Sequence, residues 1–297
     1  MINLITVPTS CRKELALALF FSILLTVALF YSTFEVPRVL DGVLHQYFPE
    51  VFWNPEATER LLSSLRPIGY SALVVTVALI LLGFASKKGF VSFMGSLVIY
   101  LPTFGYFAFA MFFLTGLGAL RALWLPILEY SPNILKLGCI AYLPFTVIRD
   151  YAPLIGMTLI IAGIFVFALG STTWLYGRFK GCSIIDFWIY KYSRHPQYLG
   201  FILWSYGLLI FVSYKDHVRG AFTTPPALIW LISTIMVMGI AMMEEMEMIK
   251  KYGEKYEEYR RKTPFMIPMP RPLAKAITAP MKGFGGGPKS LKSITFT

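Results

Sequence analysis

The chain has 297 residues, a formal net charge of +11, 56% hydrophobic residues and only 14% charged ones. With a mean hydropathy of +0.63, most of it cannot be a water-soluble globule. The surplus of Lys and Arg, 27 against 16 Asp and Glu, fits cytoplasmic loops facing anionic lipid and argues against a nucleic-acid partner.

Taken in chain order, the uncharged runs are Leu15–Phe34, Pro67–Ser86, Phe90–Leu120, Tyr151–Gly177, Pro196–Tyr214 and Gly220–Met243. Each is long enough to cross about 30 Å of hydrocarbon as a helix. The expected fold is therefore all-α, a polytopic transmembrane helical bundle. Arg12 and Lys13 precede the first run, and no small-residue cleavage site follows it, so the N-terminus reads as an uncleaved signal anchor. Placing Arg12-Lys13, Lys87-Lys88, the Arg178–Arg194 segment and the chain after Met243 all inside requires an even number of spans before residue 178. Leu137–Ile148 decides the count. Its twelve residues make a helix of about 18 Å, too short to span. If it lies at the interface the total is six spans, the preferred reading. If Phe90–Leu120 is two short passes and 134–150 crosses, the total is eight.

Residues 34–66, with Glu35, Asp41, Glu50, Glu56 and Glu59, read as a polar loop on the outer side. The loop Lys215–Arg219 carries two basic residues on that side, against the charge rule. Residues 1–150 form an N-terminal transmembrane region with few motif-like polar residues, 151–270 a core rich in them, and 271–297 a basic, Gly- and Pro-rich tail. The three cysteines, Cys11, Cys139 and Cys182, are far apart and odd in number. They form neither a disulfide framework nor a metal site.

Two stretches carry the chemistry. The first is SRHPQYLGF, residues 193–201. Pro196 favours a helix start and keeps His195 out of the α region, so Arg194 and His195 sit on non-helical backbone before the N-terminus of a span. Gly200, one turn in, permits close approach of a ligand or of backbone, and Tyr198 adds an aromatic face with a polar tip. The second is MMEEMEMIKKYGEKYEEYRRKTPFMIP, residues 242–268. Met246, Ile249, Tyr252, Tyr256 and Tyr259 recur at three- and four-residue steps, which predicts an amphipathic interfacial helix continuing the last span. Glu244 and Glu245 sit at the lip of that span, where a carboxylate is costly. The residues four positions on are Met248 and Ile249, so no intrahelical ion pair accounts for them. The occupant of that lip is a ligand amine, ribose hydroxyls, or Arg194 and His195 of the first motif.

Together, SRHPQYLG, a helical hairpin, the Glu pair and the closing Tyr256-x-x-Tyr259…Ile267-Pro268 pattern resemble the isoprenylcysteine carboxyl methyltransferase and phospholipid methyltransferase group of integral membrane enzymes. The resemblance covers about residues 151–270. It implies S-adenosylmethionine as cofactor, bound at the cytoplasmic face by His195, Pro196, Tyr198, Gly200 and Glu245. It also implies a lipidic or prenylated acceptor entering from the bilayer. Glu244, Glu245 and Arg194 become the candidate catalytic residues, and Trp174, Tyr176, Tyr190 and Tyr192 candidate aromatic faces for the sulfonium. No metal is implied. One feature departs from the group: where its carboxyl methyltransferases commonly carry an Arg one turn before the Glu pair, this chain has Ile240 and Ala241. Either Arg194 or another group replaces it, or the acceptor is not a carboxylate but a lipid amine, a thiol or another small amphiphile. Two rival readings remain. NADPH-dependent sterol reductases share the C-terminal architecture, but their motif usually follows the glycine with an acid, and here Phe201 stands there. A non-catalytic scaffold subunit would keep the fold alone.

Overall fold

The computed structural model describes residues 9–48, 55–86, 122–141, 143–214 and 227–268. Among them every regular element is helical: α1 (Thr9–Leu44), α2 (Pro55–Ala85), α3 (Leu125–Tyr130), α4 (Leu143–Val147), α5 (Ala152–Phe179), α6 (Pro196–Tyr214), α7 (Ala227–Tyr252) and α8 (Glu254–Lys262). Helices α1, α2, α5 and α7 are long and apolar enough to cross a membrane. Helix α6 reproduces the expected run Pro196–Tyr214, with a shorter apolar part. The chain is thus a polytopic, all-helical integral membrane protein. The expected span Phe90–Leu120, the loop Lys215–Arg219 and the tail 271–297 lie outside the described residues.

Three boundaries differ from the sequence expectation. The outer loop 34–66 shrinks, because α1 runs on to Leu44 and α2 begins at Pro55. Of the acids expected in a loop, Glu50 lies outside the described residues, while Glu35 pairs with Arg38 one turn on within α1 and Glu56 occupies the first turn of α2 behind a leading proline. A ten-residue 3-10 helix, Pro132–Ala141, and a three-residue one, Arg149–Tyr151, flank the five-residue α4. Among the described residues of that stretch there is no helix long and apolar enough to span. Last, α7 and α8 are not continuous. Gly253 stands between them at φ +55, a left-handed conformation that stops a helix and favours glycine.

The chain divides into two compact units, each discontinuous in sequence. The unit made of Val27–Ile161 and Ile202–Met243 has its core at Leu123, Trp124, Ile229 and Met236, with Arg66 and Tyr70 of α2 both bound to Glu129. A Cβ on Gly207 of α6 would lie 2.6 Å from the Gly156 carbonyl oxygen of α5, so these backbones touch as small residues allow in membranes.

The other unit comprises Met1–Thr26, Ala162–Phe201 and Glu244–Thr297, and it holds the first motif and the second from Glu244 on. Its α1 segment is tied to α5 by Ser22 Oγ donating to the Ala168 carbonyl and by Lys180 pairing with Glu14. Helix α5 ends where Gly181 adopts φ +68. The amide of Cys182 then reaches back to Gly177 and that of Gly181 to Arg178, the two closing bonds of a glycine-terminated helix. The glycine contacts recur here. A Cβ on Gly200 would stand 2.5 Å from the Phe167 amide nitrogen and 2.7 Å from the Gly163 carbonyl oxygen, and one on Gly170 would stand 3.0 Å from Gln197.

A valine at Gly200 must push these backbones apart, a cost of about 1–3 kcal/mol. We therefore expect Gly200→Val to lower the thermal unfolding midpoint in detergent. Gly42→Ala, whose added Cβ meets nothing within 4 Å, should leave it unchanged.

Candidate functional site

The first motif reaches its place through an unusual turn. Phe187 is extended and Trp188 is at φ +49, a conformation a bulky residue adopts only at a cost. Residues Trp188–Lys191 then make one 3-10 turn. Ser193, Arg194 and His195 follow as buried, non-helical residues, and Pro196 opens α6. The second motif sits at the end of α7. Neighbouring positions on a helix point about 100° apart, and here that offset separates the two acids. Glu245 is 7% exposed, while the Glu244 side chain is 51% exposed.

Glu245 is the centre of the arrangement. Its Oε1 lies 2.8 Å from Arg194 Nε and 3.1 Å from His195 Nε2, and its Oε2 lies 3.9 Å from Arg260 Nε. A buried carboxylate persists only when paired and hydrogen-bonded, and the partners come from the other motif and from α8. Of the three occupants foreseen for the lip, the structure brings in Arg194 and His195. Glu244 behaves differently. It accepts a 2.6 Å hydrogen bond from the Tyr198 hydroxyl, and its other oxygen is 3.9 Å from His195 Nδ1. The imidazole therefore stands with one nitrogen toward each acid, its face stacked on Tyr198 at 5.7 Å.

Arg194 is engaged by α8 and by the chain just after it. Its backbone amide donates to the Pro264 carbonyl, its Nη1 to the Arg260 carbonyl at 2.8 Å, and its guanidinium lies over the Phe265 ring. Burial pulls its pKa down, and the negative charge of Glu245 opposes that pull. Helix α8 is amphipathic, and the face it buries, Tyr256 and Tyr259, is covered by protein. Tyr259 donates to the Tyr190 carbonyl at 2.8 Å. Burial, ahead of any charge, raises the phenol pKa of Tyr190, Tyr256 and Tyr259. They stay neutral at physiological pH.

Of the residues singled out in the sequence, Arg194, His195, Tyr198, Glu244 and Glu245 meet in one cluster. Pro196 is fully buried, packed against α5 near Gly170, and Gly200 takes its close approach from the α5 backbone. Of the four aromatic candidates, Tyr190 joins the back of the cluster, Tyr176 stacks on Trp188, Trp174 lies under Arg178, and Tyr192 is largely exposed. The sequence reading missed Arg260, Pro264 and Phe265. They were visible only as members of a basic helix and a proline-rich exit, with no period linking them to residue 194.

The fold and the cluster define a class: a helical membrane protein in which a loop before one helix and an acidic pair at the end of the next meet at the close of its C-terminal half. Residues 150–263 match the family described as "Protein of unknown function (DUF1295)". The chain is also similar to two curated proteins. One is the methanethiol S-methyltransferase of Crocosphaera subtropica, 32% identical over 79 residues, which cover 27% of each chain. The other is the protein-S-isoprenylcysteine O-methyltransferase of Schizosaccharomyces pombe, 31% identical over 92 residues, or 31% of this chain and 36% of that one. The chain spans about a quarter to a third of the length of these relatives. No solved structure matches it.

Arg194→Ala leaves the buried Glu245 short of its nearest cation, a change that costs about 3–5 kcal/mol. Lysine cannot reach Glu245 and the Arg260 carbonyl together, so Arg194→Lys should recover only part of the loss. Denaturation midpoints in detergent measure both, and a wild-type midpoint for Arg194→Ala would contradict the role given to this pair.

Proposed function

We propose that this protein is an S-adenosylmethionine-dependent methyltransferase acting on a lipidic acceptor at the cytoplasmic membrane face. The observation that carries this reading is the division of labour in the acidic pair. Glu245 is neutralised inside, whereas Glu244 is held at the rim by Tyr198 with half of its side chain open. An oriented carboxylate beside an aromatic ring suits a cationic ligand with an amine or hydroxyls to donate. The donor set therefore fits the sulfonium, amino and ribose groups of S-adenosylmethionine. Both similar proteins carry methyltransferase names, which supports the same chemistry. The orientation rests on Arg178, Lys180, Lys191 and the basic residues of 250–262, which the charge rule puts inside.

When bound, S-adenosylmethionine supplies a methyl group already activated on a positively charged sulfur. The protein's task is then alignment and the exclusion of water. Glu244 and the Tyr198 ring hold the ligand at the rim. His195, Arg194 and Glu245 fix the position of those two from beneath. The acceptor follows from the charges. Arg194 is spent on Glu245 and on α8, and the acid open at the rim is negative, so a carboxylate acceptor meets repulsion there. A thiol or an amine does not, and it releases a proton on methylation. In this reading Glu244 Oε2, the oxygen not bonded to Tyr198, takes that proton. The similar proteins' names span both a sulfur and an oxygen acceptor, and the charge pattern favours sulfur or nitrogen here.

Calorimetry in detergent should show S-adenosylmethionine binding. Glu244→Gln should weaken it roughly tenfold, a loss of about 1.4 kcal/mol, without moving the unfolding midpoint, because the group lies at the surface. Labelled methyl should pass to a long-chain thiol or amine and not to the matching carboxylate. Absence of heat with the methyl donor together with binding of NADPH would overturn the reading.

A further inference from the structure

We propose that Phe265 is a positioning residue of this site, holding the imidazole of His195 and the guanidinium of Arg194 in their working orientations. This rests on the methyltransferase reading for its functional meaning, while the geometry stands by itself. His195 lies on non-helical backbone, and the χ2 torsion that turns an imidazole ring is broad and nearly two-fold. A half-turn would exchange ring nitrogens for carbons opposite Glu244 and Glu245. Two rings oppose that turn. Tyr198 covers one face, at 5.7 Å and 27° between planes, and Phe265 meets the ring edge-on, at 5.1 Å and 64°. The same phenyl ring covers Arg194, whose guanidinium carbon is 5.7 Å from its centroid, an attractive cation–ring approach.

The chain around Phe265 is built to hold it there. Thr263 ends α8 in extended backbone, with its amide still bonded to Tyr259. Pro264 forbids a further helical turn, and its carbonyl accepts the Arg194 amide at 3.0 Å. Thr263 and Met266 are buried at 5% and 6% exposure, while Ile267 is 59% exposed. The segment is thus pinned on both sides of Phe265 and open just beyond it. The family match covers residues 150–263, and Phe265 stands just beyond its end.

The test uses the full-length protein in nanodiscs, with histidine labelled in 13C and 15N and the His195 signals assigned by their loss in His195→Gln. Phe265→Ala should shift or broaden the His195 ring signals and raise the Kd for S-adenosylmethionine about fivefold or more. Phe265→Tyr should restore both, and Ile267→Ala should change neither. Phe265→Leu serves in the same way if the alanine variant does not fold, since it keeps bulk but no ring. Unchanged His195 signals in the ringless variant would overturn the proposal, as would failure of Phe265→Tyr to restore them. If the wild-type protein binds no S-adenosylmethionine, the methyltransferase reading falls, while the ring signals still decide the positioning role.

Discussion

Glu245 is a carboxylate taken out of water, and the C-terminal half of the protein is arranged around making that tolerable. Leaving such a charge unpaired in a low-dielectric surrounding costs several kcal/mol. Its partners come from three places: Arg194 and His195 from the loop before α6, and Arg260 from α8. Any path by which the chain buries Glu245 must therefore bring together the end of α7, the entrance of α6 and the C-terminal helix. The guanidinium of Arg194 extends the requirement to the backbone, since it also takes up the Arg260 carbonyl.

The second constraint is steric. Helices α5 and α6 approach until backbone touches backbone, at Gly163 and Phe167 against Gly200 and again at Gly156 against Gly207. Each contact lies within its own compact unit. Between apolar helices in lipid, close packing replaces the hydrophobic drive available in water, and glycine allows the shortest distance. That approach seats Pro196 and Gln197 against Gly170, and Gln197 then donates to Ser171 across the contact. The start of α6 is fixed by packing, so the motif residues just before it carry their polar groups toward α7 and α8.

From these two constraints the acidic pair acquires its asymmetry. One helix places two adjacent carboxylates in different surroundings, one enclosed with cations and one at the rim with a phenol. A single alteration of helical phase would exchange them. The enclosed acid is held by cations, and the rim acid keeps half of its side chain exposed. This asymmetry is the feature on which the proposed methyl-donor site rests.

Much of this was legible in the chain alone. The helical membrane class, the run Pro196–Tyr214 to the residue and the two motifs follow from apolar length, from Pro196 and from Glu acids without a basic residue one turn away. These are local quantities, and local physics sets them. What the tertiary structure decided is long-range or depends on rotation about a helix axis. Helices α5 and α6 are apolar all round, so no periodicity marks which side faces a neighbour, and Gly200 could equally have faced a ligand. The pairing of His195 with Glu245 joins positions 50 residues apart, with no shared period to announce it. The charged ends of α1 and α2 looked like loop because the hydrocarbon core sets the apolar length of a helix but not where the helix stops. Phe265 read as part of a proline-rich exit, and only folding places its ring against His195.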